Sequence, residues 1–277
     1  MNLFFFASWL PCQSWRGRIA LVLGWVTVLN LVLPGPVRAA DPVYWTPGPR
    51  GVEYARVPAF GAAARPGNSI LLARIDPSAV LFRVYYRASK PRIVQDWLKE
   101  FPGAALIVNA NFYRSRGRPL GLVMIGNKLV SLPSGRPGAG IFQVKGEVPQ
   151  VGLLSKEQVL SNQEAREYTE AFEGYPLLIE AGQPVSTMAD YDARSRARRT
   201  VIAQDGAGRI LIVVTTPVEV TLSEMTGWLL TSGLNVVTAL NLDGGFSSQM
   251  IIPASGDQPE LASGIVGVPV VLVVYSR

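Results

Sequence analysis

The chain has 277 residues, 48% of them hydrophobic and 17% charged, enough to build a substantial core and too apolar for a disordered polymer. Its 27 Gly and 21 Pro are scattered without a repeat, which excludes a collagen-like architecture. The net charge of +6 does not mark a nucleic-acid binder: Arg16, Arg18 and Arg38 carry half of it, leaving 23 basic against 20 acidic residues and no basic run interleaved with aromatics.

Cys12 is the single cysteine, and there is no histidine. Disulfides within the chain, Ser-His-Asp and Cys-His triads and the common zinc sites are therefore excluded. Acid–base chemistry must come from carboxylates, Tyr, Lys or water.

In chain order, Arg16 and Arg18 precede an apolar run over Ile19–Leu33, then Pro34-Gly35-Pro36 and the small-residue end Val37-Arg38-Ala39-Ala40. This is the order of a secretory signal, with cleavage expected after Ala39. The run is shorter than the roughly 20 residues of a membrane span. Residues 1–39 are expected to be a signal peptide, or an N-terminal anchor if uncleaved. The protein is then periplasmic or secreted, touching a membrane only through that segment.

Residues 40–69 read as an extended segment with one strand at Val52–Val57, and residues 70–277 as a single domain. Strands are expected at Ile70–Ile75 and Val80–Tyr86 around the turn Asp76-Pro77-Ser78. Ile93, Val94, Trp97, Leu98 and Phe101 recur at helical spacing, and Pro102-Gly103 ends that helix. A short strand follows at Ala104–Asn109. Hairpins are expected around Gly126-Asn127, Lys145-Gly146-Glu147, Ala181-Gly182 and the loop 205–209. Thr221-Leu222-Ser223-Glu224 is a capping box opening a helix to about Ser232. Val236–Leu240, Gln249–Ile252 and Val266–Tyr275 close the chain as strands. The sum is an α+β fold with a largely antiparallel or mixed sheet built from hairpins and two main helices.

Three segments carry chemistry. In Leu240–Ser248, strand alternation puts Asn241 and Asp243 on one face, Gly244 and Gly245 permit a tight turn, and Ser247 and Ser248 add hydroxyls. A carboxylate, exposed amides and hydroxyls at a strand end suit a sugar or phosphate, although an Asp-Gly turn alone also explains the pattern. In Val108–Tyr113, Asn109 and Asn111 offer donors and acceptors beside two aromatics, or simply support a turn. In Ala189–Thr200 the arginines suit phosphate, or a solvated loop, with Arg199-Thr200 at the mouth of a strand.

Taken together these segments resemble the phosphodiester glycosidase family. Its members carry N-G-G-F-F, a hairpin bounded by glycines, R-T-A and N-L-D-G-G-G-S-S in that order. The counterparts here are Asn109–Tyr113, Pro119–Val130, Arg199–Val201 and Asn241–Ser248. Ala110 and Asn111 stand where the family has two glycines, Phe246 stands for a third, and Val201 stands for the alanine. Some bacterial members are linked to exopolysaccharide synthesis, in keeping with an exported chain.

The resemblance implies hydrolysis of a sugar–phosphodiester bond at the sugar carbon, on envelope or exopolysaccharide glycans. Asp243 is then the expected catalytic carboxylate, with Glu224 as a second. Asn109, Asn111, Arg199, Thr200, Asn241, Gly244, Gly245, Ser247 and Ser248 are expected to bind substrate. A sugar-phosphate or glycan is the expected partner, and no cofactor is implied. Two alternatives stand beside this reading: a non-catalytic glycan-binding envelope protein on the same fold, and a divalent-metal site using Asp190, Asp192 and Asp243.

Overall fold

The hairpin turns anticipated from Gly126-Asn127 and Ala181-Gly182 both adopt left-handed backbone at their two central residues, the geometry that matches strand twist. The computed structural model describes residues 42–153, 168–185, 195–253 and 258–277, all within one unit spanning Ala39–Arg277. The segment 1–39, and Asp190 and Asp192 of the metal alternative, lie outside the described residues.

The described strands run β1 (Thr46–Pro47), β2 (Val52–Pro58), β3 (Ser69–Ile75), β4 (Val80–Tyr86), β5 (Leu106–Asn109), β6 (Val123–Ile125), β7 (Lys128–Ser131), β8 (Gly140–Lys145) and β9 (Val148–Leu153). They continue with β10 (Tyr168–Gly174), β11 (Leu177–Glu180), β12 (Gln183–Pro184), β13 (Thr200–Asp205), β14 (Ile210–Val214), β15 (Val236–Asn241), β16 (Met250–Ile252), β17 (Glu260–Ala262) and β18 (Val270–Ser276). Helices α1 (Val94–Glu100) and α2 (Leu222–Thr231) match the two expected helices.

These strands form an eight-stranded sheet, β1-β2-β3-β14-β13-β15-β11-β12, and two five-stranded sheets, β7-β6-β10-β8-β9 and β17-β16-β5-β18-β4. The ladders are antiparallel, as the hairpin succession requires. The fold class is α+β. Residues 52–58 are part of the large sheet, pairing with β3 along their whole length.

Alternation along the strands distributes apolar side chains to two faces. Leu71, Ala73 and Ile75 of β3, Ile202 of β13 and Leu240 of β15 meet Phe142, Phe172, Val108 and Leu272 in a core shared by all three sheets. The other face of the large sheet packs on α2 through Leu222, Met225 and Leu229. Helix α1 covers the β5–β16–β18 sheet through Val94 and Trp97. By area, fully burying side chains of this size contributes about 1.5–3 kcal/mol each.

Strand β10 escapes the hydrophobic pattern because it carries Glu170 and Glu173, both buried. Backbone amides satisfy them. Val84 and Gly126 donate to Glu170, while Leu122 and Ser134 donate to Glu173 at 3.1 and 2.9 Å. Burial raises the Glu170 pKa above its ordinary value, with those amides opposing the shift.

Candidate active site

The segment after β15 leaves the large sheet and reaches β16 of a five-stranded sheet, so residues 242–249 form the crossing between two layers. Asn109, at the end of β5, holds this crossing together. Its Nδ2 donates to the Asp243 carbonyl at 2.7 Å, and its Oδ1 accepts from Thr200 Oγ1 at 2.8 Å and from the Gln249 amide at 3.0 Å. Fully buried and bonded through both its amide oxygen and its amide nitrogen, Asn109 sits where it positions the Asp243 segment. Thr200 shares that assignment, its hydroxyl being committed to Asn109 inside the protein.

Asn111 is likewise internal. Its Nδ2 donates to the carbonyls of Leu122 at 3.2 Å and Glu173 at 2.9 Å, tying the loop after β5 to β10. Asn111 stands where the family motif has glycine; its Nδ2 ties the loop to β10 and to the residue before β6, while its Oδ1 is buried without a partner.

Leu240 and Leu242 enter the main core, so alternation sends Asn241 and Asp243 to the other side, as expected. Asn241 Nδ2 donates to the Tyr175 carbonyl at 2.7 Å, which leaves Oδ1 buried and without a partner. Asp243 Oδ1 accepts the Gly244 amide at 3.0 Å, while Oδ2 is closed off from solvent and takes no hydrogen bond. Burial pushes the Asp243 pKa up to about 6, against the lowering effect of hydrogen bonds from Ser247 and Gly244.

The turn that presents Asp243 needs both glycines. A Cβ on Gly244 would lie 2.9 Å from the Arg198 carbonyl, and Gly245 sits at φ +63°. Gly245 donates its amide to that same carbonyl at 2.8 Å. Ser247 is within 3.3 Å of the Tyr113 hydroxyl, and the buried Ser248 Oγ has no partner.

Arg198, not Arg199, is therefore the arginine beside the Asp-Gly-Gly turn. The two point to opposite sides of the chain as it enters β13. Arg199 Nε donates to the Val220 carbonyl at 3.2 Å and Nη2 to the Ser195 carbonyl at 2.6 Å, which pins the approach to α2. Among the described residues the Arg198 guanidinium has neither a hydrogen bond nor an ion pair, and its Nε is buried. It lies 5.8 Å from the centre of the Phe246 ring, within cation–π range. Arg198 was in plain view in the sequence. Only the parity of β13 distinguishes it from its neighbour.

Phe246 does not crowd this site. Its side of the turn faces outward, and the residue is 61% exposed.

Glu224 has a different assignment. It completes the capping box with Thr221 and also accepts from the Ala62 amide at 2.8 Å and from Arg196 at 3.0 and 3.1 Å. Although burial acts to raise its pKa, the Ala62 and Thr221 amides and Arg196 outweigh it and hold the group down at about 2. These contacts make it the cap of α2 and the tie between that helix, Ala62 and Arg196. Among the described residues, no group of three or more Asp, Glu, Cys or His side chains is arranged to hold a metal ion.

Unsatisfied buried polar atoms are rare in folded proteins, and each calls for an explanation. Of eight such atoms among the described residues, four (Asn241 Oδ1, Asp243 Oδ2, Ser248 Oγ and Arg198 Nε) belong to the end of β15, the turn after it or the residue beside that turn, and the others to Gln95, Glu100, Asn111 and Gln143. An acceptor, a carboxylate, a hydroxyl and a guanidinium carried on this short stretch are the kinds of group that a polyhydroxylated, anionic molecule calls for.

A family model described as phosphodiester glycosidase matches residues 102–275, which include the Asn109, Arg198 and Asp243 segments. The chain belongs to the phosphodiester glycosidase family.

Its fold is similar to that of the zebrafish N-acetylglucosamine-1-phosphodiester alpha-N-acetylglucosaminidase catalytic domain auto-inhibited by its pro-peptide. There the TM-score is 0.62 at 16% identity, covering 86% of this chain and 87% of that one. A hypothetical protein from Synechocystis gives 0.59 at 18% identity, covering 86% of this chain and 64% of the other. A putative exported protein from Burkholderia pseudomallei K96243 gives 0.52 at 14% identity over 77% and 75%. At these identities the structures share the fold. No curated protein sequence matches the chain.

Proposed function

We propose that this phosphodiester glycosidase family member hydrolyses a sugar-1-phosphodiester at the sugar carbon, with Asp243 as general base and Arg198 on the phosphate. The observation that carries the reading is the Asp243 carboxylate, half satisfied and half starved ahead of a glycine turn whose Gly245 amide is held by the carbonyl of Arg198, an arginine with no side-chain partner among the described residues. A base works best with a pKa near the operating pH, and a value of about 6 leaves Asp243 mostly ionised at neutrality yet able to take a proton.

In this step the water oxygen bonds to the sugar carbon while its proton passes to Asp243. The bond from that carbon to the phosphate oxygen breaks, and its electron pair leaves on the phosphate ester. A phosphate ester is stable as an anion, so it needs less protonation than the alkoxide that an ordinary glycosidase expels. Charge neutralisation by Arg198 serves in place of a general acid, consistent with a chain that has no histidine. The signal-like segment 1–39 supports action outside the cytoplasm, on envelope or exopolysaccharide glycans.

The test is hydrolysis of a panel of sugar-1-phosphodiesters by the wild type and by Asp243→Asn. The variant is expected to lose about 10²–10⁴-fold in kcat. Undiminished turnover would remove Asp243 from the mechanism. Glycan binding by the wild type with no release of sugar or phosphate would instead make it a binding protein on this fold.

A further inference from the structure

Beyond Tyr113 the chain makes a loop whose charges no part of the fold uses. Arg114, Arg116 and Arg118 are all exposed, and among the described residues none has an ion pair or a side-chain hydrogen bond. The loop that carries them is nevertheless well fixed. Its ends pair at Tyr113 and Pro119, and the Arg114 amide donates to the Arg118 carbonyl at 2.7 Å. Gly117 is buried at φ +68° with its α-carbon hard against Ala88, where a Cβ would lie 2.6 Å from the Ala88 carbonyl. Arg116 is itself left-handed at φ 62°. A loop with fixed ends that carries three unpaired cations, one of them on uncommon backbone, suits an anionic ligand.

A cleft of about 630 Å³ lies under this loop, with Ala88, Ser89 and Pro91 on one wall and Tyr113, Arg114 and Arg116 on the other. None of its lining residues is acidic. Lys90, between Ser89 and Pro91, is exposed as well and has no ion pair among the described residues. The nearby carboxylate of Glu100 is already neutralised by Arg87 and Arg92. Tyr113 belongs both to this cleft and to the Asp243 cluster, through its contact with Ser247.

We propose that this cleft is a substrate subsite beside the Asp243 turn, and that it selects a glycan bearing repeated anionic groups, phosphodiester or carboxylate. Its assignment as part of the substrate site rests on the hydrolysis proposed above; the preference for a polyanionic glycan rests on the cleft alone. Two or three exposed charge pairs, each of modest strength, combine to a preference of about tenfold for a charged over a neutral chain. Because the cations are exposed, salt screens that preference.

The experiment measures equilibrium binding to three oligosaccharides of equal length: one linked by glycosyl phosphodiesters, one of uronates, and one neutral. The wild type and the double variant Arg114→Gln, Arg116→Asn are compared. Asn accepts left-handed backbone, so the loop is retained. The wild type is expected to bind a charged oligomer about tenfold more tightly than the neutral one, with the preference fading in high salt and collapsing toward unity in the double variant. The phosphodiester and uronate arms decide which anion is preferred. Equal binding of charged and neutral chains by the wild type, or a preference that survives in the double variant, overturns the proposal.

Hydrolysis of a small sugar-1-phosphodiester is scored separately. Arginine-dependent binding without hydrolysis sinks the proposed reaction and keeps the subsite. Hydrolysis without arginine-dependent binding does the reverse.

Discussion

Glu224 opens a helix and Asp243 precedes a glycine turn, and the protein treats these two carboxylates in opposite ways. Glu224 is supplied with two backbone amides and an arginine, and its pKa is held at about 2. Asp243 is given one amide and the Ser247 hydroxyl, has one oxygen shut away without a partner, and is raised to about 6. A fold that satisfies one acid so fully and leaves the other short shows where it spends hydrogen bonds on stability and where it holds reactivity in reserve. The arginines repeat the contrast: Arg196 and Arg199 are tied into the frame, while Arg198 is not.

The contrast is open to breaking. The largest expected effect is on rate. Arg198→Ala is expected to lower kcat/KM on a sugar-1-phosphodiester by about 10²–10³-fold, the scale for removing a donor aimed at developing charge. Arg199→Ala should act mainly through a lower Tm. If Arg199 gave the larger rate loss, the parity argument at β13 would fail. Next comes the pH profile. Since the base form of Asp243 is required, kcat/KM should fall about tenfold per unit as pH drops below about 6, and level off above it.

Stability provides the finer test. The folded pKa of Asp243 lies above its unfolded value of 3.8, so its charged form opposes folding, and that cost is present above about pH 6 and relieved as pH falls. Asp243→Asn should therefore stabilise the protein at pH 7 by about 1–3 kcal/mol in urea unfolding, and the gain should vanish below about pH 4. Glu224 has the opposite sign. Its folded pKa is depressed, so its contribution is present above 4.5 and lost as pH falls toward about 2. Glu224→Gln should cost about 1 kcal/mol at pH 7, comparable to the loss of a helix cap. A gain from Glu224→Gln or a loss from Asp243→Asn would reverse the reading of both sites.

Most of the elements were legible because they obey local rules. Gly126-Asn127 and Ala181-Gly182 announce hairpins, and Thr221 with Glu224 announces a helix start. Strand β10 was not legible, since Glu170 and Glu173 interrupt its apolar pattern and become tolerable only when amides from β4 and from the Leu122 and Ser134 backbone arrive. Strands β1 and β17 were missed because two or three residues at a sheet edge carry almost no periodic signal.

By itself, the sequence determined the α+β class, the family motifs and the Asp243 turn, because glycine spacing and strand alternation are written into the order of residues. Which polar groups are left unsatisfied was decided by the tertiary structure alone. Asn109, Thr200 and Glu224 have the same chemistry as good ligands, yet each is engaged by partners distant in the chain. Arg198 looked no different from the arginines around it until folding withheld a partner from it. A hydrogen bond uses up a donor or acceptor, so reactivity is what remains after packing, and that remainder is fixed by long-range contacts.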